Sequence, residues 1–228
     1  MRIIFLSFIL CLSTSANEYI ALPQKDQEQY LKKLQKNVRE VQTMACQFKQ
    51  EKRLELFDDV FRLKGWAYIR KTPRSIRWEY AKPLKKVVLI NNEDMQVYKW
   101  RKNKRKRIIN PNEKYIKLAY EYILAFFEGD FSEARKRFTL SIRKNYQGKH
   151  LLVFTSSAEL KKFIQRIEII VAADQKTIER VLIYESEKNY TNIKFAKILH
   201  NVKLKSDVFT EIFIENFSDG IEKTTSKN

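Results

Sequence analysis

A chain of 228 residues with only four glycines and four prolines is sized for one domain of long, regular elements, not one of many tight turns. Lys+Arg exceed Asp+Glu by 45 to 27, a formal net charge of +18 that favours anionic partners, and an export signal makes nucleic acid the wrong class among them. With Cys11 inside that signal, Cys46 stands alone in the mature chain and an internal disulfide is excluded.

Arg2, the apolar run Ile3–Leu12 and the small residues Ser13-Thr14-Ser15-Ala16 read as a secretory signal peptide over 1–16, cleaved after Ala16. The run is too short for a permanent membrane span. Cys11 raises a lipidated N-terminus, but Leu10 is bulky where such a site wants a small residue, so a soluble exported protein is expected. No repeat or low-complexity linker divides the rest: one domain spans 17–217, and 218–228 is a polar tail.

Leu31, Leu34, Val38, Val41, Ala45 and Phe48 recur at spacings of three and four, which predicts a helix over 24–48 with one apolar stripe packed on a sheet. Looser alternation over Cys46–Leu56 predicts a first strand, joined through Phe57-Asp58-Asp59 to Val60–Lys71. There Arg62, Lys64, Trp66, Tyr68 and Arg70 share one face and Phe61, Leu63, Ala67 and Ile69 the other. Thr72-Pro73 turns the chain into a strand where Ile76, Trp78 and Tyr80 alternate with Ser75, Arg77 and Glu79, so the hairpin carries large aromatics. Glu79 beside Arg77 reads as surface charge. Lys86–Asn91 and Met95–Trp100 form a second pair across Asn91-Asn92-Glu93-Asp94. The basic cluster Arg101, Lys102, Lys104, Arg105, Lys106 and Arg107 sits at the next hairpin tip. It is either a solvated tip that protects a sheet edge or a contact for an anionic membrane or an acidic partner.

Asn110-Pro111-Asn112 offers a helix start, and Lys114 to Phe127 is apolar nearly all round, including Tyr122, Ile123, Phe126 and Phe127. Such a segment is buried on both sides or closes on something apolar. Glu128-Gly129-Asp130 ends it. The second half reads as strands: Phe138–Lys144, His150–Thr155, Phe163–Ala172, Thr177–Glu185, Tyr190–Leu199, Val202–Leu204 and Phe209–Ile214. About eleven strands result, with helices before the first and after the sixth.

His150 and His200 lack cysteine or carboxylate neighbours at ligand spacing, and neither a nucleophile elbow nor a phosphate-cradling glycine loop occurs. Cys46 reads as a small buried hydrophobe. No catalytic group, metal or cofactor is expected, and the protein does not read as an enzyme. What remains is either a curved sheet whose aromatics line a container for apolar ligands, closed by a helix, or a sandwich whose aromatics are simply core. A basic adhesion or scaffold module acting through 101–107 is a further reading from another class.

Several segments together resemble the periplasmic outer-membrane lipoprotein carriers of the LolA type. They are Gln47-Phe48-Lys49-Gln50-Glu51-Lys52, Gly65-x-x-Tyr68, Pro73 followed by Ile76-Arg77-Trp78-Glu79-Tyr80, and Pro83 with Leu89-Ile90 and Val97-Tyr98. Leu124 to Asp130 and the ending around Thr191, Phe195, Asn201 and Phe209 complete the ordered set. The resemblance implies a mainly β (α+β) fold, an unclosed antiparallel barrel of about eleven strands with an α-helical lid over an apolar concave face. It implies a monomer that binds the acyl chains of lipoproteins released by an inner-membrane ABC transporter and passes them to an outer-membrane receptor, without covalent chemistry. A lipid-binding or lipoprotein-sensing module of the same fold is the alternative. By this resemblance Trp66, Tyr68, Ile76, Trp78 and Tyr80 are candidate walls of the acyl-chain cavity, and Tyr122, Ile123, Phe126 and Phe127 candidate lid residues. The family's latch arginine before the proline is replaced by Thr72, which leaves Arg70 or Lys71 as candidate latch, and the turn at 91–94 lacks the usual glycine.

Overall fold

The computed structural model describes residues 18–57, 59–92, 94–102, 104–109 and 126–222. Among them, twelve strands form one antiparallel sheet: β1 (Ile20–Ala21), β2 (Thr43–Arg53), β3 (Val60–Arg70), β4 (Ser75–Lys82), β5 (Lys86–Asn91), β6 (Asp94–Arg101), β7 (Lys104–Arg107), β8 (Phe138–Lys144), β9 (His150–Ser156), β10 (Arg166–Val171), β11 (Ile178–Tyr184) and β12 (Tyr190–His200). Their order is β1-β8-β9-β10-β11-β12-β2-β3-β4-β5-β6-β7. The ends do not meet, so this is an unclosed barrel with β1 and β7 as its free edges. Helix α1 (Gln24–Arg39) and the short α2 (Ser132–Arg137) are the helices named beside it.

The expected helix over 24–48 stops at Arg39, and its last apolar residues belong to β2. A three-residue step stays on one face of a helix but changes face in a strand, and so Ala45 points outward while Phe48 points inward. β2 is the central strand, paired along its length with β3 and β12, and that double ladder overrides the helical spacing. Tyr30, Leu31, Leu34 and Val38 form the buried stripe of α1, lying on the inner face of the sheet.

Alternation along each strand sends Ile69, Ile76, Trp78, Val88, Ile90, Leu152, Ile169 and Val181 into one continuous inner core. The turn at 91–94 dispenses with glycine because Asn92 itself adopts φ 55°, a conformation that asparagine tolerates.

The C-terminal stretch differs from expectation. Val202–Leu204 and Phe209–Ile214 are not strands: residues 201–222 form a strap across the outer face, with 3₁₀ turns at Ser206–Phe209 and Phe217–Gly220 and a single bridge between Leu204 and Ile221. The strap stays packed past Ser218, since Gly220 is buried against the Tyr68 ring, where an added Cβ would stand 2.6 Å from ring carbons. β10 also starts later than expected, at Arg166, leaving Phe163 in the preceding turn.

Candidate functional site

The inner face is the candidate site. Its floor is an aromatic cluster from β12, β2 and β4, in which Phe48 lies 4.4 Å from Trp78 and 5.5 Å from Tyr80, and Trp78 meets Phe195 edge-on at 6.0 Å. These rings converge because Phe48 and Phe195 are cross-strand partners and Trp78 stands opposite Ala67, which leaves room for the indole. Gly65 is required here: a Cβ would lie 1.7 Å from the Glu79 carbonyl oxygen across the β3–β4 bulge. The polar fringe is small, with the Tyr80 hydroxyl donating to Gln50 Oε1 at 3.2 Å and the Lys86 ammonium 5.2 Å from the Tyr80 ring. Burial lowers the Lys86 pKa, and Lys99 opposite it lowers it further.

The cover has two parts. One is α1. The other is the corner around Phe126, Phe127 and Phe131, where Phe126 packs on Phe131 at 5.8 Å and Phe131 on Phe154 of β9 at 6.2 Å. Gly129, at φ +66°, lets the corner turn against α1, since a Cβ would come to 3.0 Å from the Gln35 carbonyl oxygen. Two polar ties hold cover to sheet at the β3–β4 turn: Lys71 Nζ donates to the Val38 carbonyl at 2.7 Å, and Arg74 Nε pairs with Glu128 at 2.8 Å. Burial lowers the Lys71 pKa against the attraction of Glu128. Away from α1 the inner face continues through Phe61, Leu63, Ile183 and Phe195, which are half-buried or exposed.

The sequence-derived wall therefore divides. Ile76, Trp78 and Tyr80 lie together on the inner face. Trp66 and Tyr68 do not join them: they stand on the outer face, under the strap, with Tyr68 fully buried and its hydroxyl donating to the Phe217 carbonyl at 2.7 Å. The reason is register. Tyr68 is paired with Arg77 and Trp66 with Glu79, so both share the face opposite Trp78. Phe126 and Phe127 are buried in the cover, while Tyr122 and Ile123 lie outside the described residues. Of the candidate latches, Lys71 reaches α1, whereas Arg70 bonds Pro73 and Ser75 and stacks over Phe209 of the strap. Arg74, one residue after the proline, was not singled out by the sequence; a basic residue flanking Pro73 on its far side was the signal for it.

Arg77 and Glu79 correct the surface-charge expectation. Both are fully buried beneath the strap. Arg77 Nε donates to Glu79 at 2.6 Å, and its guanidinium caps the carbonyls of Val208 (3.1 Å), Thr210 (2.8 Å) and Ile212. Glu79 in turn accepts from the Ile214 N–H at 3.0 Å. Burial pushes the Glu79 carboxyl up to about 7, against the pull of Arg77. His150 stacks on Tyr30 of α1 at 3.8 Å, a packing role. Among the described residues, no cluster of three or more His, Cys, Asp or Glu is placed to hold a metal ion. The basic cluster forms the exposed β6–β7 hairpin, with β7 as a sheet edge; Arg105 is drawn back onto Glu211 and the Tyr98 ring.

The family model of the outer membrane lipoprotein carrier protein LolA matches residues 39–211, most of the chain. The protein belongs to the LolA family. No curated protein matches its sequence. Among solved structures it resembles a DUF1329 family protein from Desulfovibrio piger (TM-score 0.45, 13% identity, covering 83% of this chain and 98% of the other). It also resembles the Mycobacterium tuberculosis lipoprotein LppX (TM-score 0.45, 8% identity, 77% and 96%) and a LolA superfamily protein from Nitrosomonas europaea (TM-score 0.38, 6% identity, 79% and 97%). Among the described residues, no helix of this LolA-family chain is long and apolar enough to cross a membrane.

Proposed function

We propose that this LolA-family protein is a periplasmic carrier that binds the acyl chains of lipoproteins released from the inner membrane and delivers them to the outer membrane. One observation carries the reading. The inner face of the unclosed barrel is apolar from β6 to β8 and is roofed by a cover that rests on it mainly through apolar side chains. Acyl chains hidden from water gain about 0.8 kcal/mol per methylene, so a cargo that reaches this face can replace the cover. Ile76, Trp78 and Tyr80 act as wall, Phe126 and Phe127 as lid, and Lys71 and Arg74 as latch. No bond is made or broken. An inner-membrane ABC transporter supplies the cargo and an outer-membrane receptor accepts it.

Incubation of the purified protein with spheroplasts carrying a radiolabelled acylated lipoprotein tests this. The expected result is a soluble one-to-one complex. Trp78→Asp and Phe126→Asp suit the test poorly, since both side chains are at most 2% exposed and a carboxylate there would unfold the chain. Trp78→Leu and Phe126→Leu keep the site apolar and are expected to weaken release. Failure to release cargo, with retained binding of a fluorescent fatty acid, would reduce the role to lipid binding alone.

A further inference from the structure

Register places five basic residues in one line across the outer face. Arg180 of β11 pairs with Lys194 of β12, Lys194 with Lys49 of β2, Lys49 with Lys64 of β3, and Lys64 with Lys82 of β4. At the usual strand spacing the row is about 19 Å long. Like charges directly opposite one another oppose sheet formation. The rows on either side lack this conflict: one holds Asn192, Glu51 and Arg62, with Glu51 bonded to both neighbours, and the other holds Ala196, Gln47, Trp66 and the buried Glu79. Lys49, Lys64, Lys82 and Lys194 are exposed and have no ion pair among the described residues; Arg180 bonds only the Asn192 amide oxygen, at 2.8 Å.

Beside the row runs a groove of about 660 Å³ between the sheet and the strap, walled by Trp66, Ala81, Ala196 and Phe213. Its carboxylate, Glu215, is taken by Lys85 at 3.1 Å. Two large apolar residues next to groove-lining positions stand out from the surface, Leu84 at 40% and Ile212 at 43% exposure.

We propose that this outer face docks on the surface of an anionic phospholipid bilayer, with the cation row against the phosphates and Leu84, Ile212 and the groove against the apolar layer beneath. Charge complementarity selects that occupant. Five cations spread over about 19 Å of sheet are too many for one phosphate and suit a surface that carries many. Apolar side chains bordering a lysine field are the pattern of an interfacial surface. A peptide adding a strand has no purchase here, because β11, β12, β2, β3 and β4 are all interior to the sheet. The docking is independent of acyl-chain carriage, which uses the opposite face.

Flotation of the purified protein with vesicles tests the assignment. Binding to vesicles of phosphatidylglycerol and phosphatidylcholine is expected, falling steeply with salt and absent with phosphatidylcholine alone. The exposed triple variant Lys49→Gln, Lys64→Gln, Lys194→Gln should bind roughly a hundredfold more weakly, each lysine acting additively near a charged surface. Lys104→Gln with Lys106→Gln on β7 should change binding little, and Phe126→Leu should not affect it. The proposal is overturned if the triple variant binds like the parent, if the β7 variant accounts for the loss, or if soluble polyaspartate binds and vesicles do not.

Discussion

The outer strap is fixed by a charge buried in a place where a sheet would ordinarily put an apolar residue, and Arg77→Met isolates that effect. The substitution keeps the apolar stem of the side chain as far as the Nε position, removes the partner of a buried carboxylate and strips the caps from three strap carbonyls. Deleting one member of a buried ion pair costs about 3–5 kcal/mol. Glu79→Gln should lose less, about 2–3 kcal/mol: the amide oxygen can still accept from Ile214 and Arg77 keeps its carbonyls, but the amide NH2 then faces the Arg77 Nε–H and that charged contact is lost. The double variant Arg77→Met, Glu79→Leu should not return to parental stability, although swapping a buried pair for apolar residues is often neutral. Here the carbonyls of Val208, Thr210 and Ile212 remain orphaned, at about 1–3 kcal/mol for a buried group left unpaired. Urea unfolding followed by tryptophan fluorescence gives the three losses, and trypsin cleavage at Lys203 or Lys205 reports strap release. A loss below about 1 kcal/mol for Arg77→Met, or a larger loss for Glu79→Gln, would refute the clamp.

Other consequences are as direct. Burial depresses the His150 pKa from 6.5 to about 4, so the folded state binds its proton less readily than the unfolded chain. The stability this confers is complete above about pH 6.5 and is lost as pH falls toward 4, about 3 kcal/mol, and His150→Phe should remove that share of the pH dependence in acid titrations of unfolding. Gly65→Ala sets a methyl into the Glu79 carbonyl and should cost more than about 3 kcal/mol or abolish folding, as read by circular dichroism. The Cys46 thiol is fully buried and its pKa is pushed up to about 12, so it should resist a disulfide reagent at pH 8 until denaturant is added. Arg74→Ala removes a half-exposed ion pair with Glu128 and should alter stability by less than about 1 kcal/mol, while a fatty-acid probe should bind faster in stopped-flow mixing if the pair latches the cover.

Strand positions in this chain are legible because alternation survives in nearly every one: Lys86–Asn91 and Phe138–Lys144 have the bounds that their sequence suggests. Which face is the inner one is less legible. The Trp66–Tyr68 and Ile76–Tyr80 runs look equally aromatic, and only pairing Ala67 with Trp78 reveals that they oppose each other. Apolar residues on both faces mean both faces are covered, one by α1 and the other by the strap. The strap reads as strand in the sequence because apolar spacing carries no record of how a backbone is satisfied. Its carbonyls find a buried guanidinium instead of a neighbouring strand, and a charge at Arg77 looks, in sequence, like any other outward residue of a half-exposed sheet.

On the carrier reading, the packing of the inner face also bears on delivery. An empty apolar trough would hold acyl chains by the whole of their transfer free energy, about 0.8 kcal/mol per methylene, and would release them slowly. Here the trough is filled by the protein's own side chains, and reburying Leu31, Leu34, Phe126 and Phe131 recovers about 1.5–3 kcal/mol apiece. Together that offsets roughly 8–15 methylenes, on the order of one acyl chain. The cover thus competes with cargo for the same surface, and a receptor need supply only the difference. Because Lys71 and Arg74 contribute little energy beside that apolar exchange, their part is to set where the cover lands and not how strongly it holds.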